Sequence, residues 1–256
     1  MDNLHFKEIG SGPKIVILHG LLGSLDNWIT IGKNLSKNFH VYLVDLINHG
    51  NSPHTEEFNY SRMADDLYNF FLSNNINKAH LIGHSMGGKV TMKFANIYQN
   101  YIDKLIIVDI VNKNYPTNRF NHIFKALNNI KINNIKSRKE ADQQTSNYIN
   151  NLSERNFLLK NLKRNKDGFF LWKPNIEVIS SSINHISSQI EINNKILQNT
   201  LFLRGEFSDY IIESDVNIIS NDFDNFNLIT ISNSGHWIHA ENPSSFYEKV
   251  NSFLKN

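Results

Sequence analysis

The sequence contains no cysteine, which excludes a disulfide framework, a thiol nucleophile and a thiolate metal site. It has no surplus of either charge. Its 26 lysines and arginines stand against 24 aspartates and glutamates, a formal +2, too balanced for a general nucleic-acid surface. No apolar run approaches the roughly 20 residues that span a bilayer. The opening MDNLHFKEIG lacks the basic segment and apolar core of a signal peptide. These absences predict a soluble, cytoplasmic protein with no nucleic-acid partner and no stable membrane insertion. The histidines show no H-E-x-x-H or equivalent ligand spacing, so neither a metal nor another cofactor is expected.

What is present is enough for a large core. The chain has 256 residues, 40% of them hydrophobic and 11% aromatic, and fits one large domain or a core with an inserted subdomain. Six short β-branched or apolar runs recur: Lys14 to Gly20, Val41 to Leu46, Ala79 to Ser85, Lys104 to Val111, Thr200 to Gly205 and Leu228 to His236. Near-continuous apolar strands suit a parallel sheet covered on both faces. Helix-like stretches alternate with them: RMADDLYNFFLSN, KVTMKFANIYQ and the closing PSSFYEKVNSFLK, with Pro243 suited to a first helical turn. Alternation of this kind predicts an α/β fold. The rhythm breaks over residues 112–188, a polar, asparagine-rich stretch with helix-like pieces RFNHIFKALNNI and RNFLLKNLKR. A structureless loop of that length is improbable, so the stretch reads as a helical cap inserted into a core of residues 1–111 and 189–256.

The chemistry concentrates in LIGHSMGGKV, Leu81 to Val90. Gly83-His84-Ser85-Met86-Gly87 fits G-x-S-x-G, with a strand before it and a helix after it, the setting of a nucleophile elbow. A side chain at 83 or 87 would collide with neighbouring backbone there, and glycine removes the collision. The plain alternative is a glycine-rich strand–helix turn. A serine hydroxyl needs a base to take its proton. His236, in SGHWIHAENP, follows the last strand and precedes the last helix, and is the candidate. His239 reads as structural, and His84 as a residue whose backbone matters more than its ring. His19-Gly20 ends the first apolar strand and marks the loop that supplies an oxyanion-hole donor. The predicted donors are the N–H groups of Leu21 and Met86, with His19 organising the loop.

These elements in this order resemble the α/β-hydrolase superfamily. The stretches LHGLLGSLDNW, VDLINHGNSPH, GHSMGGKV, RGEFSDYI and GHWIHAENP narrow the resemblance to the small esterases of YbfF type and their relatives named abhydrolase-domain-containing protein eleven. The resemblance covers about residues 14 to 250 and almost none of the cap. It implies a mostly parallel sheet flanked by helices, a helical cap, and hydrolysis of small-molecule esters or thioesters of short to medium acyl groups through a serine, a histidine, an acid and an acyl-enzyme. Two departures stand out: Ile47 where the family usually has arginine, and DIVNKNY without a proline soon after its aspartate. Other hydrolytic chemistry on this fold, such as C–C bond or lysophospholipid hydrolysis, and a non-catalytic binder remain alternatives, since fold does not fix function.

The acid has two candidates. Many α/β-hydrolases take it from the third residue beyond the glycine of TLFLRG, which here is Ser208, with Asp209 one residue late. The YbfF-type pattern has serine there and takes its aspartate from the end of the preceding strand. By that resemblance the acid is Asp109 in IVDIV, an unusual residue to end a β-branched strand. Asp45 reads as structural, ordering the loop that carries Asn48 and His49.

Overall fold

A computed structural model describes residues 3–255. A seven-stranded sheet lies at its centre. In chain order the strands are β1 (Phe6–Ile9), β2 (Lys14–Leu18), β3 (His40–Val44), β4 (Ala79–His84) and β5 (Ile102–Val108), then, after a separate two-stranded hairpin of β6 (Leu162–Arg164) and β7 (Phe170–Trp172), β8 (Thr200–Gly205) and β9 (Phe226–Ile231). In space the order is β1-β3-β2-β4-β5-β8-β9. Every neighbouring pair is parallel except β1 against β3.

The apolar strands are continuous because both faces of the sheet are buried. Val16, Leu18, Leu81, Leu105, Ile107 and Phe202 enter one core; Ile15, Ile17, Ile82, Ile106, Leu201 and Leu203 enter the other. Eleven helices are described: α1 (Ile29–Leu35), α2 (Tyr60–Ser73), α3 (Met86–Ile97), α4 (Asn121–Asn129), α5 (Arg138–Thr145), α6 (Leu152–Leu159), α7 (Ile176–Ser181), α8 (Ile183–Ser187), α9 (Val216–Asp222), α10 (Ile238–Glu241) and α11 (Pro243–Lys255). Helix α2 starts where the Asn59 side chain accepts the Arg62 N–H at 2.9 Å, an N-cap bond. It buries Met63, Leu67, Phe70 and Phe71, which recur at helical spacing. Helix α11 buries Phe246, Val250 and Leu254 against the opposite face.

Three local expectations fail. β1 was not foreseen: its residues FKEI are half-exposed or exposed, as an antiparallel edge strand permits. β9 stops at Ile231, where its pairing with Gly205 ends. Asn233 then takes a φ of 53°, so the chain turns well before His236. RNFLLKNLKR is not one helix. α6 ends at Leu159 and the chain enters the β6–β7 hairpin, whose turn is held by Asn165 Oδ1 accepting the N–H groups of Asp167 and Phe169 at 3.1 and 2.9 Å. That asparagine turn outcompetes helix continuation, and Leu162 and Phe170 then join a small core with Ile130, Ile135 and Leu159.

Residues between β5 and β8 supply α4 to α8 and the hairpin. The two ends of this segment are tied together. The Tyr115 N–H donates to the Ser187 carbonyl at 2.9 Å, and the Asn112 side chain bonds both the N–H and the carbonyl of Ile190 at 2.8 and 3.1 Å. The chain order reverses between β2, which leads to β3 on one side, and β4 on the other. In open α/β sheets the carboxyl ends of strands at such a reversal form the binding crevice. His19, Ser85, Asp109, Ser208 and His236 all follow the carboxyl ends of β2, β4, β5, β8 and β9.

Candidate active site

Ser85 sits between β4 and α3 with φ 52° and ψ −117°, a conformation that costs an L-residue about 1–3 kcal/mol. The turn is tight enough to dictate its glycines. A Cβ on Gly83 would lie 2.3 Å from the Gly87 carbonyl oxygen, and one on Gly87 would lie 2.5 Å from that of His19. The strain is held by backbone bonds: the Ser85 N–H donates to Val108 at 3.0 Å, and the Ser85 carbonyl accepts the Gly88 and Lys89 N–H groups at 2.9 and 3.1 Å.

His236 Nδ1 lies 2.8 Å from Asp109 Oδ2. Asp109 is fully buried at the end of β5 with φ 51°. Its carboxylate also accepts the Gly205 N–H at 3.1 Å and the Ser208 hydroxyl. With Nδ1–H directed at the carboxylate, Nε2 of His236 keeps its lone pair. The Tyr210 ring stacks on the imidazole at a centroid distance of 3.7 Å. Asp209 is placed elsewhere: 69% of its side chain is exposed and it pairs with Arg119, whose hydrogen bonds hold its carboxyl below the usual range. Ser85 and His236 line one cavity of about 240 Å³, with Phe157, Leu158 and Trp237 forming part of its apolar wall. Among the described residues Ser85 Oγ makes no hydrogen bond to His236, and such contacts often tighten only with substrate in place.

The loop after β2 is organised by two histidines. His19 Nδ1 bonds its neighbour's carbonyl, Gly20 O, at 2.8 Å, and its Nε2 accepts the Leu46 N–H at 3.0 Å. His49 Nδ1 bonds Ile47 O and its Nε2 accepts the Leu22 N–H, both at 3.0 Å. Gly23 N–H donates to Gly20 O at 2.9 Å. The N–H of Leu21 is left without an acceptor among the described residues, as is that of Met86, the first residue of α3. Asp45 has the structural role its position suggested: its carboxylate takes the Leu25 and Asn51 N–H groups at 2.7 and 2.9 Å and faces His5 Nδ1 at 2.8 Å. Ile47 is buried in the core beside this loop.

Three participants were not read from the sequence. The His84 ring is one: Nε2 lies 2.8 Å from the His236 carbonyl and so supports the loop that carries the imidazole, a role for the ring beside the one expected of its backbone. Tyr210 is the second. Lys89 is the third, a lysine one turn beyond Ser85 with only 1% exposure. A lysine inside the otherwise apolar start of α3 was a signal available in the sequence.

Four histidines here are buried. Burial lowers His19 and His84 and pushes His49 and His239 down to about 3. His239 stacks on Trp28 at 4.0 Å, as its structural reading anticipated. A lowered histidine contributes stability that is present above the unfolded value near 6.5 and is lost as pH falls toward the folded value. The melting temperature is therefore expected to drop steadily from pH 7 to pH 4. His239→Gln, which cannot take the proton, should make that drop shallower; an unchanged slope would show that His239 already titrates normally.

Residues 13–127 match the family model described as alpha/beta hydrolase fold. The chain is 34% identical to the sn-1-specific diacylglycerol lipase ABHD11 of Danio rerio, over 98% of this chain and 81% of that one. It is 33% identical to esterase YbfF of Escherichia coli (strain K12), over 94% and 92%. A solved structure described as a marine microorganism esterase matches with a TM-score of 0.96 at 42% identity, covering 99% of this chain and 100% of that one.

Proposed function

The chain belongs to the α/β-hydrolase family, among esterase- and lipase-type hydrolases, and we propose that it is a serine hydrolase of carboxylic esters, thioesters included. The observation that carries the proposal is the 2.8 Å bond between His236 and the buried Asp109 at a cavity that also holds Ser85 on its strained turn. In this reading Ser85 Oγ attacks the acyl carbon while His236 Nε2 takes its proton. The N–H groups of Leu21 and Met86 receive the oxyanion, and His236 returns the proton to the leaving alcohol or thiol. Water, activated by the same imidazole, then clears the acyl-enzyme. Asp109 fixes the tautomer and stabilises the imidazolium. Donors of the oxyanion type are worth roughly 2.7–4 kcal/mol each to the transition state.

Residues 112–188 act as the lid in this reading. Their side chains Ile123, Phe157 and Leu158 line the same cavity as Ser85, so they select substrate and exclude water without entering the chemistry. A fluorophosphonate probe, which reacts only with an activated serine, tests the proposal directly. Stoichiometric labelling of Ser85, located by peptide mass, is expected. A folded protein that stays unlabelled would instead be a binder on a hydrolase scaffold.

A further inference from the structure

The near-neutral total conceals a segregation of charge. Residues 112–188 hold 13 of the 26 lysines and arginines but 5 of the 24 aspartates and glutamates. The insertion therefore carries a formal +8 and the rest of the chain −6. Four of its cations are paired with acids: Lys113 with Asp215, Arg119 with Asp209, Arg155 with Asp142 and Lys173 with Asp26. Lys131, Lys136, Lys139, Lys163 and Lys166 are exposed and make no ion pair among the described residues.

These five lysines lie on two segments that pack together. The stretch from Lys131 to Lys139 is bound to the β6–β7 hairpin by two arginines. Arg138 donates to the Leu162 carbonyl at 2.9 Å, and Arg164 to those of Lys136 and Gly168 at 2.7 and 2.6 Å. Lys136, Arg164 and Phe169 border one shallow recess. The nearby acids are Glu140, which accepts the Lys136 N–H at 2.9 Å, and Asp167 in the hairpin turn. The hairpin sorts its side chains by strand alternation. Leu162 and Phe170 enter the small core. Phe169 and Leu171 take the other face and stay 52% and 37% exposed, with Lys163 paired across from Leu171. Two apolar side chains and a lysine therefore share the outer face, with Lys166 at its turn.

An anionic bilayer surface matches this face in both charge and polarity. Its negative potential attracts clustered lysines within about a Debye length. Phe169 and Leu171 then gain by leaving water at the boundary between headgroups and acyl chains. A nucleic-acid strand matches the charge but not the face: its bases stack on aromatic rings, and Leu171 beside Phe169 offers none. We propose that the insertion docks the protein peripherally on anionic membranes through the outer face of the β6–β7 hairpin and the lysines around it. The contact lies on the bilayer and does not cross it; among the described residues no helix is long and apolar enough to cross a membrane. The hairpin follows α6, whose Phe157 and Leu158 line the cavity of Ser85, so a docked bilayer is one short helix away from that cavity. The inference stands on charge and exposure and does not depend on the serine-hydrolase reading.

Flotation with vesicles tests it, comparing phosphatidylcholine alone with phosphatidylcholine containing about 30% phosphatidylglycerol. The anionic vesicles should bind the protein about tenfold or more strongly, and raising salt from about 0.05 M to about 0.3 M should reverse most of that gain. Lys163→Glu with Lys166→Glu should lower the partition coefficient about tenfold, as should Phe169→Ser with Leu171→Ser. Lys37→Glu, a reversal of an exposed charge outside the insertion, should change it less than about twofold. Thermal melts establish which variants are folded. Phe169→Trp reports on the face itself: its emission should shift to the blue with anionic vesicles and stay fixed with neutral ones. If the double variants melt early, that emission decides, and an unshifted spectrum overturns the proposal. Equal partition onto both vesicle types overturns it too, as does anionic binding that the folded hairpin variants leave intact. A salt-sensitive complex with a single-stranded oligonucleotide, without vesicle binding, would give the surface to nucleic acid and overturn the membrane assignment.

Discussion

Ser85→Ala should give a folded protein whose ester turnover is lower by about 10⁴- to 10⁶-fold. On the proposed mechanism the size of the loss follows from removing the attacking oxygen while leaving the proposed Leu21 and Met86 donors and the cavity in place; what remains is their contribution over water. Stability is expected to change little, because Ser85 Oγ holds no hydrogen bond among the described residues and the strained backbone at φ 52° is kept by bonds from main-chain atoms. Ser85→Gly sharpens the argument. Glycine adopts this conformation without a Cβ penalty, so this variant should be equally inactive yet melt higher than the alanine variant. Strain is then visible as a quantity stored for the nucleophile. Turnover of Ser85→Ala within tenfold of wild type would mean that another group attacks the ester.

The parts of this architecture that were legible are those whose signal lies within a short stretch. Strands buried on both faces announce themselves as unbroken apolar runs, and β2, β4, β5 and β8 do so. The elbow at Ser85 is written in two glycines that the backbone geometry demands. The unread parts depend on partners far along the chain. β1 is a half-exposed edge whose register comes from β3, 35 residues or so away. The His84 ring finds its carbonyl 152 residues later, and the Lys89 ammonium finds Ser187 and Ser188 98 and 99 residues later. Neither spacing leaves a local pattern. The hairpin β6–β7 shows a different failure: RNFLLKNLKR is rich in the helix formers leucine, lysine and arginine, and the asparagine turn at Asn165 with the small core around Phe170 overrides that propensity.

The pair of substitutions Asp109→Asn and Asp209→Asn should separate the two carboxylates by orders of magnitude. Asp109→Asn is expected to lower kcat by about 10²–10⁴. The carboxylate accepts from His236, Ser208 and the Gly205 N–H at once. An amide in its place offers one oxygen and one NH₂, so the geometry can persist while an accepting site is lost. If the NH₂ faces Nδ1, the imidazole must carry its proton on Nε2, and Nε2 can no longer take the proton of Ser85. Asparagine tolerates positive φ about as well as any residue with a side chain, so the backbone at φ 51° is not the cause of the loss. Asp209→Asn breaks an exposed pair with Arg119, an interaction of a kind worth about 0–1 kcal/mol, and should leave kcat within about threefold, since among the described residues Asp209 makes no hydrogen bond to the imidazole. Kinetics and thermal melts measured on both variants together make the test: a well-folded, inactive Asp209→Asn beside an active Asp109→Asn would return the acid to the turn after β8. The expected pattern assigns the acid to the strand end and leaves Ser208, in the position where many α/β-hydrolases keep their acid, as the hydroxyl that donates to it.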